Sequence, residues 1–188
     1  MTDYKALIKG MMGKKRYTHS CNVADMCVRL AEIFGEDSNK AYIAGMLHDI
    51  RKEVPPEEMK NEMLSSGYYV DPAELATKGT WHGIAGAYYV KTVLKIEDED
   101  ILNAIRFHTV GRAEMSRLEK IVYLGDLVSA ERDFKDVEKY RKYALADLDN
   151  GMFQALKWSI PSLVNKGGKI PISTVEAYNY YMSFKKES

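Results

Sequence analysis

The chain has no run of about 18 apolar residues, the length a helix needs to cross a bilayer, so no membrane span is expected. Its first residues, Met1-Thr2-Asp3-Tyr4-Lys5, lack the charged-then-apolar pattern of a secretory signal. It also lacks net charge, because 27 basic residues balance 27 acidic ones. The basic surplus that a duplex nucleic-acid binder sets against phosphate is therefore missing, although local positive charge can still hold a small anion. Cysteine is scarce: Cys21 and Cys27 stand six apart on one predicted helix. That spacing puts them about 240° apart and about 9 Å along the axis, too far for a disulfide. Both are expected as reduced thiols, which points to the cytoplasm, and two are too few for a cysteine metal site. No strand pattern, internal repeat or low-complexity linker occurs.

What is present is helical periodicity. The 188 residues are 46% apolar and 29% charged, the make-up of a single domain over 1–188 with a real core. A short helix is predicted over 3–13 and a stronger one over 16–34, where Val23, Met26, Cys27, Leu30, Ala31 and Phe34 recur at three- and four-residue steps. His19 shares their inward face. Ser38 is the expected N-cap of the next helix, which carries His48-Asp49. Pro55-Pro56 opens another, to about Ser65, and residues 71–78 form a short helix or turn. Trp81 to Leu94 reads as helical despite Gly83 and Gly86, each costing about 1 kcal/mol there, which implies tight packing or ligand approach near His82. Further helices are expected from Asp98 to His108 and over 115–130, 136–147 and 149–166. A last one starts at Ser173 or Thr174 and ends in the tail Lys185-Lys186-Glu187. The reading is all-α, with about nine or ten helices in one bundle.

Two residues sit oddly in this pattern. His48-Asp49 ends an otherwise apolar run, Ala41-Tyr42-Ile43-Ala44-Gly45-Met46-Leu47. An ionised Asp is costly to bury unless a cation or donors meet it. Asp126 lies in a second apolar run, Tyr123-Leu124-Gly125-Asp126-Leu127-Val128, and faces inward. The chain's four histidines, His19, His48, His82 and His108, each fall at a predicted helix end or on an apolar side. With Asp49 and Asp126 they form a mixed nitrogen and oxygen set suited to Fe, Mn, Zn or Co. Six ligands with one carboxylate shared suit two metals about 3.5–4 Å apart.

The order His19, His48-Asp49, Asp126 resembles the H…HD…D pattern of the HD-domain metal-dependent phosphohydrolases. The resemblance is closer to the YqeK-type branch and runs over nearly the whole chain. It rests on Arg16-Tyr17-Thr18-His19, His48-Asp49-Ile50-Arg51-Lys52, His82-Gly83-Ile84-Ala85-Gly86-Ala87, His108-Thr109-Val110-Gly111-Arg112, Tyr123-Leu124-Gly125-Asp126 and Arg132-Asp133-Phe134. The resemblance implies an all-α HD-domain bundle with a dinuclear, iron-type centre (Mn, Co or Zn being the other metals). It also implies symmetrical hydrolysis of diadenosine tetraphosphate to two ADP, by attack of a metal-bound hydroxide on phosphorus. Asp49 would bridge the metals. One departure stands out: where the family usually has an Ile-Glu-Pro-Gly-like stretch, this chain has Val128-Ser129-Ala130-Glu131, with Glu131 the nearest replacement for an acid missing at 129.

Cations near these pieces are the expected phosphate contacts. Lys52 follows His48 by one helical turn and is assigned as a clamp. Arg112, on the glycine-containing loop after His108, can hold phosphate bidentately. Arg16 and Arg132 are further candidates, Thr109 and Gly111 shape the loop, and Trp81 or a tyrosine is available to stack on a base. The tyrosine-rich ends hint at a homodimer. Two other readings stay open at this point: an HD phosphohydrolase acting on a deoxynucleotide or guanosine polyphosphate, and a non-catalytic metal- or nucleotide-binding helical module.

Overall fold

The computed structural model describes residues 2–185. Among them lie eleven α-helices: α1 (Tyr4–Lys9), α2 (Lys14–Phe34), α3 (Ser38–Leu47), α4 (Pro56–Ser65), α5 (Pro72–Leu75), α6 (Trp81–Thr92), α7 (Glu99–Phe107), α8 (Arg117–Val128), α9 (Val137–Ala146), α10 (Leu148–Asn165) and α11 (Ile172–Tyr181). Two 3-10 turns, Lys78–Thr80 and Met182–Phe184, complete the regular structure, and no strand forms among the described residues. The expected all-α fold is the fold found. Lys186 and Glu187 of the tail lie outside the described residues.

The apolar stripe of α2 explains the centre of the bundle. Val23, Cys27, Leu30 and Ala31 are fully buried, and α2 packs on α3 and α8. Those helices come unusually close. A Cβ placed on Gly125 of α8 would lie 2.6 Å from Cys27 Sγ, which no real side chain tolerates. At Gly83 of α6 the same test meets the Arg106 carbonyl of α7 at 2.8 Å. The glycine beside His82 is thus accounted for by helix packing rather than by a ligand. Both cysteines are free, and Cys27 is buried.

Several boundaries differ from expectation for local reasons. Asp37, not Ser38, caps α3, accepting from the Asn39 and Lys40 amides. The terminal helix opens at Ile172, directly after Pro171. More consequential, α3 stops at Leu47, so His48-Asp49 is not inside a helix. His48 Nδ1 donates to the Gly45 carbonyl at 2.6 Å and takes the acceptor that the Asp49 amide would need to prolong the helix. His108 repeats this device at the end of α7, donating to the Ile105 carbonyl at 2.7 Å.

A second, smaller apolar cluster of Met59, Met63, Trp81, Ile84 and Ala85 joins α4 to α6. Next to it a buried ion pair ties α5 to α7. Both terminal guanidinium nitrogens of Arg106 reach Glu74 at 2.8 Å, and each side chain is 3% exposed. Removing one member of such a pair strands the other charge in the interior. Glu74→Ala is therefore expected to lose about 3–5 kcal/mol in urea unfolding, and Glu74→Ala with Arg106→Met to recover much of it. A loss under about 1 kcal/mol in the single variant contradicts this assignment.

Candidate metal centre

Five helices bring their ends or edges to one point. α2 contributes His19 from its second turn, α6 His82 from its first, and α8 Asp126 from its last turn; His48-Asp49 and His108 follow α3 and α7 directly. The C-terminal ends of α3 and α7 bring partial negative charge, which favours a cation between them. All four imidazoles and Asp49 are buried, and Asp126 is partly open to solvent.

Asp49 lies at the centre. Its Oδ1 is 3.0 Å from His82 Nε2 and 3.7 Å from His108 Nε2. Its Oδ2 is 3.5 Å from His19 Nε2 and 3.4 Å from His48 Nε2. Asp126 Oδ1 approaches His19 Nε2 at 3.1 Å. Two overlapping ligand groups result, His19, His48 and Asp126 in one and His48, Asp49 and His108 in the other.

The proton inventory shows that this donor set fits a metal. A carbonyl oxygen only accepts, so His48 and His108 carry their protons on Nδ1. His19 Nδ1 faces the Glu131 carboxylate and is likewise the donor. In the neutral rings Nε2 is then a bare lone pair. Yet His48 Nε2 lies 3.2 Å from His19 Nε2, and both stand within 3.5 Å of Asp49 Oδ2. Lone pairs facing one another beside a carboxylate repel unless protons or cations stand between them. Outer partners that fix ring tautomers in this way are the usual support of imidazole metal ligands.

Titration of the metal-free groups follows the same logic. Burial opposes the charge on Asp49, but the adjacent imidazoles of His48, His108 and His82 outweigh it and hold the carboxyl well below its ordinary range. Asp126 is lowered too, against burial, by the adjacent His19 imidazole and by His48 and Arg132. Burial also opposes protonation of His48, yet Asp49 beside it carries the balance and raises it. His82 goes the other way: burial, reinforced by His108 and Lys52, lowers it to about 4.

The predicted cations divide. Arg16 Nη1 contacts Asp49 Oδ2 at 2.5 Å, and Arg132 contacts Asp126 Oδ1. Lys52 Nζ lies 3.2 Å from both ring nitrogens of His82 and 3.5 Å from the Gly79 carbonyl; burial lowers its pKa. Arg112 is not brought to the cluster. It pairs with buried Glu119 at 2.6 Å and lies over the Phe107 ring. Gly111 turns the loop with a positive φ of 66°, and Thr109 lines the cavity that opens beside His108 and Asp126. Trp81 is 6% exposed, and its indole donates to the Glu74 and Leu75 carbonyls, so it is a core residue and not a base platform. Glu131 is the partner that periodicity could not reveal, being 112 residues from His19. Ser129 donates to Glu131 at 2.8 Å, and Asn22 donates to its other oxygen at the same distance.

An all-helical bundle that gathers four imidazoles and two carboxylates at one point defines a metal-dependent hydrolase scaffold. The HD domain family model matches residues 16–131, and the chain belongs to that family. It is similar over most of its length to the symmetrical bis(5'-nucleosyl)-tetraphosphatase of Bacillus subtilis, at 38% identity with 95% of each chain covered. The enzyme of the same name from Halalkalibacterium halodurans is also 38% identical, with 96% of each covered. A crystal structure of a predicted HD superfamily hydrolase involved in NAD metabolism, from Clostridium acetobutylicum, superposes with a TM-score of 0.92 at 41% identity, over 97% of this chain and 96% of that one. Within the family this is a YqeK-type HD phosphohydrolase.

A pH prediction follows for the metal-free chain. His82 takes a proton near pH 4 when folded and near 6.5 when unfolded. Between those values only the unfolded chain binds it, so this contribution is complete above about pH 6.5 and is lost as pH falls towards 4. In urea unfolding of chelator-treated protein, His82→Asn is expected to flatten the slope of stability against pH in that window. An unchanged slope contradicts the assignment.

Proposed function

We propose that this chain hydrolyses diadenosine tetraphosphate symmetrically to two ADP, with His19, His48, Asp49, His82, His108 and Asp126 holding two metal ions, iron foremost and Mn, Co or Zn as the other candidates. The observation that carries the reading is Asp49: one carboxylate oxygen faces His82 and His108, and the other faces His19 and His48. The named activity of relatives matching 95% of the chain supports the substrate. Bound metals supply a lowered water pKa and neutralise phosphoryl charge.

The chain's own groups do the rest. Lys52, Arg16 and Arg132 stand around the ligand set and bind the polyphosphate, drawing charge from the scissile linkage. Arg16 and Arg132, which pair with Asp49 and Asp126 in this structure, turn to phosphate once cations neutralise those acids. Glu131 and the Gly45 and Ile105 carbonyls keep three imidazoles presenting Nε2. Thr109 and Gly111 shape the loop beside the cavity, and Arg112 braces it through Glu119. Water adds to phosphorus, the bridging oxygen departs with one ADP, and a proton is released. Two free thiols fit a cytoplasmic setting.

Metal analysis combined with product identification tests the reading. The unaltered protein is expected to release only ADP; ATP with AMP as products contradicts symmetrical cleavage. Asp49→Ala should abolish both bound metal and hydrolysis while the helical circular dichroism persists. Lys52→Ala should keep the metal and lose roughly ten- to hundred-fold in kcat/KM, each factor of ten being about 1.4 kcal/mol. Metal loss in Lys52→Ala contradicts its phosphate role.

A further inference from the structure

The centre opens on one side into a cavity of about 280 Å³ that its ligands and phosphate cations line only in part. His108, Asp126 and Arg132 line it together with Phe134 and Trp158. The two aromatic rings are stacked, with centroids 4.6 Å apart and planes 27° from parallel. Trp158, on α10, stays 37% exposed, unlike the chain's other indole, Trp81. Beyond Trp158, Thr109 and Tyr123, which border both spaces, lies a second cavity of about 260 Å³.

The shelf is held firmly. Phe134 lies in the loop between α8 and α9. Arg141 of α9 pins that loop, donating to the carbonyls of Val128, Ser129 and Arg132 at 3.0, 2.8 and 2.9 Å. Tyr140 tilts against both Phe134 and Trp158. A half-exposed, preorganised aromatic face next to metal ligands and an arginine has the chemistry of a nucleotide seat: phosphate at the charged end and base at the aromatic end.

We propose that Trp158, backed by Phe134, is the stacking platform for a purine base of the bound nucleotide and sets the preference for nucleotides over bare polyphosphates. This rests on the reading of the centre as a nucleotide polyphosphate hydrolase. The platform is sequence-distant from every metal ligand, and stacking on it contributes affinity without touching the reacting phosphorus.

The test compares the unaltered protein with Trp158→Ala and Trp158→Phe, using diadenosine tetraphosphate for kinetics and ADP and inorganic pyrophosphate for calorimetric binding. Trp158→Ala is expected to raise KM and the ADP dissociation constant roughly ten- to hundred-fold, as loss of one base stack does. Pyrophosphate affinity stays unchanged, and Trp158→Phe recovers most of the ADP affinity. Unchanged ADP affinity in Trp158→Ala, or equal weakening of ADP and pyrophosphate, overturns the proposal. Should Trp158→Ala fail to fold, tryptophan emission of the unaltered protein decides: quenching by ADP and not by pyrophosphate supports the platform, and no quenching by ADP overturns it. If diadenosine tetraphosphate is not cleaved to ADP, the hydrolase reading fails by itself, while the ADP and pyrophosphate titrations still judge Trp158.

Discussion

One buried carboxylate organises this molecule. Asp49 is nearly inaccessible, and four imidazole nitrogens lie within 3.7 Å of its two oxygens. A lone carboxylate at such a depth would cost several kcal/mol, so the surrounding positive or cation-binding groups are a condition of the fold as well as of the chemistry. The close approaches of α2 to α8 at Gly125 and of α6 to α7 at Gly83 bring the helices carrying His19, Asp126, His82 and the start of the His108 turn near enough to meet it. Stability and function therefore share one set of contacts.

The helices themselves were legible in the residue pattern, since α2 and α8 bury stripes that recur every three to four positions. The inward histidines and the two acids in apolar runs were legible for the same reason. The stop of α3 at Leu47 was not. It depends on His48 outcompeting the Asp49 amide for the Gly45 carbonyl, a contest between a side chain and a backbone group that hydropathy does not register. Arg112 shows the opposite error. Adjacency to His108 in sequence suggested adjacency in space, but the positive-φ turn at Gly111 and the buried Glu119 carboxylate direct its guanidinium elsewhere. Trp81 looked available and is core, whereas Trp158 drew no notice because its partner Phe134 belongs to another element.

The orientation of His19 depends on a carboxylate outside the ligand set. Glu131 receives hydrogen bonds from Ser129 and Asn22 and faces His19 Nδ1. The ring that Glu131 orients is one of those facing Asp49 Oδ2, so this carboxylate fixes the tautomer on that side of the centre. Around this geometry the charged groups and the aromatic pair partition the space: Arg16 and Arg132 border a cleft on the His19 side, and Arg132 and Phe134 also border the cavity on the Asp126 side.

In the proposed function Asp49 joins two cation positions. Anomalous X-ray scattering at the absorption edge of the metal found in the purified protein measures this directly. Two peaks are expected, one on the Oδ1 side towards His82 and His108 and one on the Oδ2 side towards His19 and Asp126. A single peak that leaves one side of Asp49 empty at full metal loading, or no peak at this carboxylate, contradicts the account.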